Sequence, residues 1–197
     1  LISVAGGSGS PEETAADCGA ATKRVTVDLS DDMDAAEAVA ERALEAAKDG
    51  AHVLVVRNTV TACLSVQEAI ERTAHRTSTT DLLLHCEGVC VPHHSRFAAP
   101  DRTQLDRALE EAMGKKRPDC GVVAVATQTV QQSLDLDADL IITDLCPMDV
   151  LLQRIGRLHR HTRNRPDGYE EPRAVVLIPT HDLETLIGAD GAAAGEY

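Results

Sequence analysis

Short apolar runs recur along the chain, each only a few residues long and each followed by a polar turn. His52–Arg57 (HVLVVR), Gly121–Ala126 (GVVAVA), Leu140–Thr143 (LIIT) and Ala174–Ile178 (AVVLI) are almost wholly aliphatic. That is the pattern of strands buried on both faces of a parallel sheet. Lys23–Asp28 (KRVTVD) alternates and is β-branched, and a further strand is expected to end at Val89–His94. Between these runs the period becomes helical. Ala36, Val39, Ala43, Leu44 and Ala47 form one stripe, behind an Asp34 and Glu37 spaced as a capping box, and Gly50 stops it. A second helix is predicted from about Thr59 to Arg76. A third carries Leu105, Ala108, Leu109 and Ala112, with Asp101 to Gln104 spaced to cap it and Gly114 to end it. Strands alternating with helices predict a three-layer α/β domain whose largely parallel central sheet is flanked by helices.

The periodic stretch with the most unusual polar face is Leu151–His161. Leu151, Ile155 and Leu158 fall at i, i+4 and i+7, while Gln153, Arg157 and Arg160 share that spacing on another face with Arg154 close by. An arginine face suits an anion, because a guanidinium stays charged and donates bidentate hydrogen bonds to phosphate. A solvated, salt-bridged face is the plainer alternative. Against it, no carboxylate occurs from Leu151 to Thr162, and Gly156 is costly inside a helix unless something approaches closely.

Composition narrows the setting. The 197 residues are 43% hydrophobic and only 2% aromatic, so the core is expected to be aliphatic and alanine-rich. Residues 1–22, with Gly6-Gly7-Ser8-Gly9-Ser10-Pro11, read as a flexible lead-in, 23–180 as the domain and 181–197 as a tail. No apolar run approaches a membrane span and no secretory signal is visible. The six cysteines form no CxxC pair, which predicts reduced, mostly buried thiols in the cytoplasm. A net charge of −13 argues against a general nucleic-acid-binding surface. The charge is uneven, however: Leu1–Gly50 has eleven acidic and four basic residues, whereas Gln153–Arg173 has six arginines and three acids.

Ligands of open parallel sheets sit beyond the carboxyl ends of the strands, and the polar candidates are expected to follow strands. Asn58-Thr59 is a candidate contact or a plain helix cap. Ser95 and Arg96 could hold a phosphate or form a structural loop. Thr127-Gln128-Thr129 opens a run of uncharged hydroxyl and amide groups through Ser133 that suits a sugar–phosphate backbone, or any polar turn. His85, Cys86, Cys90, His93 and His94 have metal-ligand types at spacings that fit no standard zinc pattern, and His181-Asp182 reads as a helix start. Phe97, the only Phe, is expected to pack. No GxxxxGK[ST] loop and no DEAD- or DExH-type acidic box occurs, so arginines suited to a nucleoside triphosphate lack a loop to cradle one.

Four segments in order, VLVVRNTV at 53–60, HSRFAAPDR at 94–102, ATQTVQQSLDLDADLIITDLCPMDVLLQ at 126–153 and QRIGRLHRH at 153–161, resemble the second RecA-like domain of a superfamily 2 helicase. More narrowly, they resemble the CRISPR-associated helicase-nucleases of type I interference systems. The resemblance implies that Arg157 and Arg160 are arginine fingers reaching the γ-phosphate, that Gln153 helps position the nucleotide, and that Asp135 contacts the ribose or couples nucleotide to DNA. It implies that Thr59, Ser95, Arg96, Thr127 and Gln128 touch the tracking-strand backbone and that Arg102 belongs to a helix-opening motif. Gln131 departs from the family, which often has Glu there.

The same resemblance implies part of an ATP-dependent 3′-to-5′ single-stranded DNA translocase. ATP and Mg²⁺ would be held mainly by a first RecA-like domain outside this chain, with no metal bound here. The expected partners are single-stranded DNA, that first domain, a nuclease domain, and the CRISPR RNA-guided surveillance complex; no membrane is involved. A non-catalytic DNA- or protein-binding module and a DNA-repair or RNA helicase domain are the alternatives.

Overall fold

The computed structural model describes residues 2–4, 23–131 and 134–180. Strands β1 (Ile2–Val4), β2 (Val25–Ser30), β3 (His52–Val56), β6 (Val122–Ala126), β7 (Leu140–Asp144) and β8 (Arg173–Leu177) make one sheet in the order β1-β2-β8-β7-β3-β6. Every pairing in it is parallel. β1 adds a strand inside the stretch read as a lead-in, and the expectations on 181–197, including His181-Asp182, lie outside the described residues.

Helices α1 (Ala36–Lys48) and α2 (Val60–Thr77) cover one face of the sheet; α3 (Ala99–Met113) and α4 (Met148–Ile155) cover the other. Val53 and Val55 of β3 enter the α1/α2 core, while Leu54 and Val56 enter the opposite core. Alternation therefore feeds two cores from one uninterrupted apolar run, as a doubly covered sheet requires. A Cβ on Gly121 would lie 1.9 Å from the Ala47 carbonyl oxygen, so only glycine lets β6 begin against the end of α1.

Four local expectations are corrected. The strand expected to end at Val89–His94 is replaced by two isolated parallel bridges to β6, at Leu83 and His93, with the small hairpin of β4 (His85–Cys86) and β5 (Val89–Cys90) between them. Glu87 and Gly88 both have positive φ, 52° and 79°, the conformation of a two-residue primed turn. No Asp34–Glu37 capping box forms: the N-cap of α1 is Ala35, with no side-chain bond. Asp32 lies nearby, accepting from Ser30 Oγ and Arg42 Nη2. α3 starts at Ala99 with Pro100 in its first turn, where a missing N–H costs nothing, so Asp101 is a first-turn acid rather than a cap.

The fourth correction concerns Leu151–His161. α4 ends at Ile155 with Gly156 as its C-cap, so Arg157 and Arg160 are not on a helix. Leu158 instead forms a parallel bridge with Ala138: the Ala138 N–H donates to Arg157 O at 2.8 Å and the His159 N–H to Ala138 O at 3.0 Å. Leu151, Ile155 and Leu158 are all buried, but Leu158 reaches the core from a turn.

Candidate functional site at the two ends of the sheet

The arginine-bearing turn sits at the amino end of the sheet. Ala138 precedes β7, and the next residue, Asp139, donates its N–H to the oxygen of His52, the first residue of β3. The expectation that all candidate residues follow strands is therefore overturned for Arg157, Arg160 and Asp135. These three nevertheless come together. Arg160 Nε lies 2.7 Å from Asp135 Oδ1, and His161 Nε2 lies 3.0 Å from Asp135 Oδ2. The Arg160 and Asp135 side chains are both partly exposed, at 42% and 48%. Arg157 is buried and donates from Nη1 to Leu134 O at 2.5 Å. Burial, then the neighbouring Arg160, pushes its guanidinium below the usual value, against a raising pull from Asp135. The carboxylate missing from 151–162 is thus supplied from a segment far back in the chain.

Beneath this turn lie two residues the motif reading did not single out. Asp137 and Asp139 have no exposed surface. Asp139 takes both oxygens to Arg117 Nη2, at 2.7 and 2.8 Å, and accepts from Arg165 Nη1 at 2.8 Å and the His52 N–H at 2.8 Å. Burial alone would raise its carboxyl; the hydrogen bonds of His52 and Arg117 more than offset that and hold it below the ordinary value. Asp137 is also lowered against the effect of burial, by the Arg165 hydrogen bond and charge and then by Arg117. Burying two carboxylates is tolerable only with such pairing. Beside Asp135 a groove of about 460 Å³ is lined by Arg107, Gly114, Lys115 and Lys116.

The carboxyl end is built differently. Asp144, the last residue of β7, lies 2.7 Å from Arg57 Nε and accepts the Asn58 N–H at 2.7 Å. Arg154, expected near the outward arginine face, is buried instead. It donates to Thr143 Oγ1 at 2.5 Å and to Asn58 Oδ1 at 2.9 Å. Thr59 is exposed and its Oγ1 caps α2 by accepting the Ala62 N–H at 3.1 Å. His93 fixes the next two loops. Its N–H donates to Val125 O and its oxygen accepts the Thr127 N–H. Its ring bonds Thr129 Oγ1 at 2.8 Å and Asp106 Oδ1 at 2.6 Å.

Thr59, Ser95, Arg96 and Gln128 are exposed, at or just beyond the carboxyl ends of β3 and β6 or next to the His93–Ala126 bridge. Thr127 is buried with its hydroxyl 3.4 Å from that of Thr129, so it offers less than expected. Gln153 is exposed on α4, Arg102 lies partly buried in the first turn of α3, and the Gln131 side chain lies outside the described residues. Phe97 stacks on His94 at 4.4 Å between ring centroids. His85 Nδ1 bonds Leu83 O, and Cys90 Sγ accepts from Gln67. Among the described residues no group of three or more His, Cys, Asp or Glu is arranged to hold a metal ion, and no helix is long and apolar enough to cross a membrane.

Comparison with known proteins agrees with this architecture. A family model described as the C-terminal part of the CRISPR-associated nuclease/helicase Cas3 matches residues 49–163. The CRISPR-associated endonuclease/helicase Cas3 of Escherichia coli (strain K12) is 38% identical over 141 residues, covering 71% of this chain and 15% of that protein. The crystal structure of T. fusca Cas3 with ATP superposes with a TM-score of 0.70 at 30% identity, over 88% of this chain and 20% of that one. A chain in a CRISPR RNA-guided surveillance complex, pre-nicking, gives 0.63 at 32% identity, over 81% of this chain and 19% of that one. The chain thus spans only a small part of the length of each.

Proposed function

Since the chain belongs to the Cas3 family, matching its C-terminal part, we propose that it is the second RecA-like half of an ATP-driven 3′-to-5′ single-stranded DNA translocase acting against foreign DNA. The observation that carries this reading is the single turn at the amino end of the sheet that joins Arg157, Arg160 and Asp135. The exposed groups suited to backbone contact lie at the opposite end.

The amino-end group fits one side of a nucleotide site. Arg160 is exposed enough to exchange its carboxylate partner for a phosphate, and Asp135 can accept from a ribose hydroxyl. Exposed Gln153 lies a few residues upstream. The chain has no phosphate-binding loop and no acidic box, so ATP with Mg²⁺ would be held mainly by the first RecA-like domain of the full-length protein. Bound there, ATP supplies the phosphoryl transfer that drives movement. On closure of the cleft, Arg160 leaves Asp135 and, with Arg157, donates to the charge developing on the γ-phosphate. Opening and closing shifts the carboxyl-end residues Thr59, Ser95, Arg96 and Gln128 along a strand recognised by its backbone. Similarity to the chain in the pre-nicking CRISPR RNA-guided surveillance complex supports such a complex as a partner. A nuclease domain of the same protein would cut the strand drawn in.

A non-catalytic module is the competing reading, favoured by the Arg160–Asp135 pair, which by itself is an ordinary exposed salt bridge. Arg157→Ala and Arg160→Ala in the full-length protein decide between them. Each is expected to lower DNA-stimulated ATP turnover by about 10³-fold or more, the scale of arginine fingers elsewhere, with the fold intact. Wild-type turnover in either variant would overturn the finger assignment and leave the module reading standing.

A further inference from the structure

The turn that carries Arg160 is held from below by a carboxylate. Asp137 has no exposed surface, and its Oδ1 accepts the backbone N–H of Arg160 at 2.8 Å and that of His161 at 3.4 Å. The same oxygen accepts from Arg165 Nη2 at 2.8 Å, and Oδ2 lies 2.9 Å from Arg163 Nε. Its own N–H donates to Met113 O, the last residue of α3, at 2.7 Å. Every one of these side-chain contacts is to the segment from Arg160 to Arg165.

Asp139 provides an internal contrast. It is equally buried and shares Arg165, but its other bonds run to Arg117 and to His52 at the start of β3. It makes no bond to the Arg160 turn. One buried acid ties the charge cluster to the sheet, and the other ties it to the arginine.

We propose that Asp137 is a positioning residue for the arginine finger: it fixes the backbone of Arg160 and His161, so that the guanidinium of Arg160 stands at the mouth of the amino-end site. A carboxylate is suited to this because it can meet several donors at once: Oδ1 takes the two backbone N–H groups and Arg165, while Oδ2 forms an ion pair with Arg163. Its charge is balanced by Arg163 and Arg165, which lets it sit dry at the base of the turn. The finger is then anchored by backbone on Asp137 and restrained by side chain on Asp135. Only the second contact must break for the guanidinium to reach a phosphate, so the turn itself need not move. A finger whose backbone is already placed loses little freedom when its target arrives, which is how preorganised donors accelerate phosphoryl transfer.

This inference rests on the finger reading of Arg160, and its test separates the two. In the full-length protein, single-stranded-DNA-stimulated ATP hydrolysis is measured for Arg160→Ala, Asp137→Asn, Asp137→Glu, Asp139→Asn and the Arg160→Ala/Asp137→Asn double variant, below the melting onset of each. Asp137→Asn is expected to lower kcat by about tenfold or more with the KM for ATP within about threefold, the signature of a group acting in the transition state. Asp137→Glu keeps the charge but displaces the acceptor by one methylene, and is expected to be slowed similarly. Asp139→Asn is expected to keep kcat within about twofold, and the double variant to be no more than about twofold slower than Arg160→Ala alone. Binding of single-stranded DNA is expected to be unchanged throughout. Wild-type kcat in either Asp137 variant, or losses that multiply in the double variant, would overturn the proposal while leaving the finger intact. Wild-type turnover in Arg160→Ala would overturn the finger reading and this inference with it. Should Asp137→Asn not fold, Asp137→Glu against Asp139→Asn makes the same comparison.

Discussion

The two ends of the sheet solve one problem, the closing of turns over buried arginines, with different chemistry. At the amino end three guanidiniums, Arg117, Arg163 and Arg165, share two carboxylates, and Arg165 bridges both. At the carboxyl end Arg57 has one carboxylate, Asp144, while Arg154 donates through its two Nη atoms to neutral oxygens of Thr143, Asn58 and the Asp144 backbone. The surfaces above differ in step. The amino end presents a half-exposed ion pair, Arg160–Asp135, whose arginine can exchange one anion for another. The carboxyl end presents Thr59, Ser95, Arg96 and Gln128, mostly uncharged donors and acceptors. The first suits a target that gains charge during a reaction, and the second suits an unchanging backbone that must be gripped and released.

The sharpest break in this comparison is removal of the shared carboxylate. Asp139→Ala takes the carboxylate from Arg117, whose side chain is 2% exposed, and one of two carboxylates from Arg165, 5% exposed, and leaves the His52 N–H without its acceptor. Breaking a buried pair from one side costs about 3–5 kcal/mol, and urea denaturation is expected to read a loss in that range. Asp144→Ala is expected to cost less, because one guanidinium rather than two loses a carboxylate contact, and Arg57 keeps its bond to Met33 O at 2.7 Å. Equal losses would mean that the amino end is no more networked than the carboxyl end.

That network explains where sequence reading succeeds and where it stops. The strands are legible because His52–Val56, Val122–Ala126 and Leu140–Asp144 are buried on both faces, and burial of that kind leaves unbroken apolar runs. Asp137 and Asp139 are not legible as a pair of anchors, because Arg117, Arg163 and Arg165 lie 20 or more residues away in the chain. A faint signal exists: two aspartates flank Ala138 just before a buried strand, and 154–165 holds five arginines and no acid. The apolar spacing runs past the end of the helix at Ile155 for a related reason. Leu158 is buried like Leu151 and Ile155, and periodicity records burial without recording whether a turn delivered it. Arg154 lies inside rather than outward because Asn58 and Thr143 wait for it there, and a charge in the sequence does not by itself imply exposure.

A smaller difference is set by histidine. Burial, then the nearby Arg165, pushes His159 from 6.5 down to about 4, and His52 at the same end is lowered chiefly by burial. Below the unfolded value the unfolded chain binds a proton that the folded chain refuses, so stability falls as pH drops from 6.5 toward about 4. The lowered Asp137 and Asp139 stabilise the fold above the unfolded carboxylate range and lose that effect only as pH falls through their folded values. Comparing urea midpoints at about pH 7.5 and about pH 5 therefore isolates the histidines. His159→Asn, which suits the positive φ of 40° there, is expected to flatten the change. His94 at the carboxyl end is lowered too, by burial and then Arg96, so His94→Asn is the matching arm. A larger flattening from His94→Asn would place the pH sensitivity at the wrong end.

The smallest expected effect tests whether the carboxyl end grips a strand at all. Arg96 is exposed, and its one hydrogen bond among the described residues is from its backbone N–H to His94 Nδ1 at 3.3 Å. Arg96→Ala should therefore leave thermal stability within about 0.5 kcal/mol of wild type. If the guanidinium meets a phosphate, the log–log salt dependence of single-stranded DNA binding should become shallower by about 0.7. Thr59→Ala is the necessary contrast. It removes the cap of α2 along with the hydroxyl, at about 1 kcal/mol, so any weakening of DNA binding there mixes two causes. Thr59→Ser keeps both cap and hydroxyl and is expected to bind as wild type. An unchanged salt slope in Arg96→Ala, with Arg160→Ala still blocking turnover, would keep the amino end as a phosphoryl site and deny the carboxyl end its strand. The two ends would then differ in construction without differing in partner.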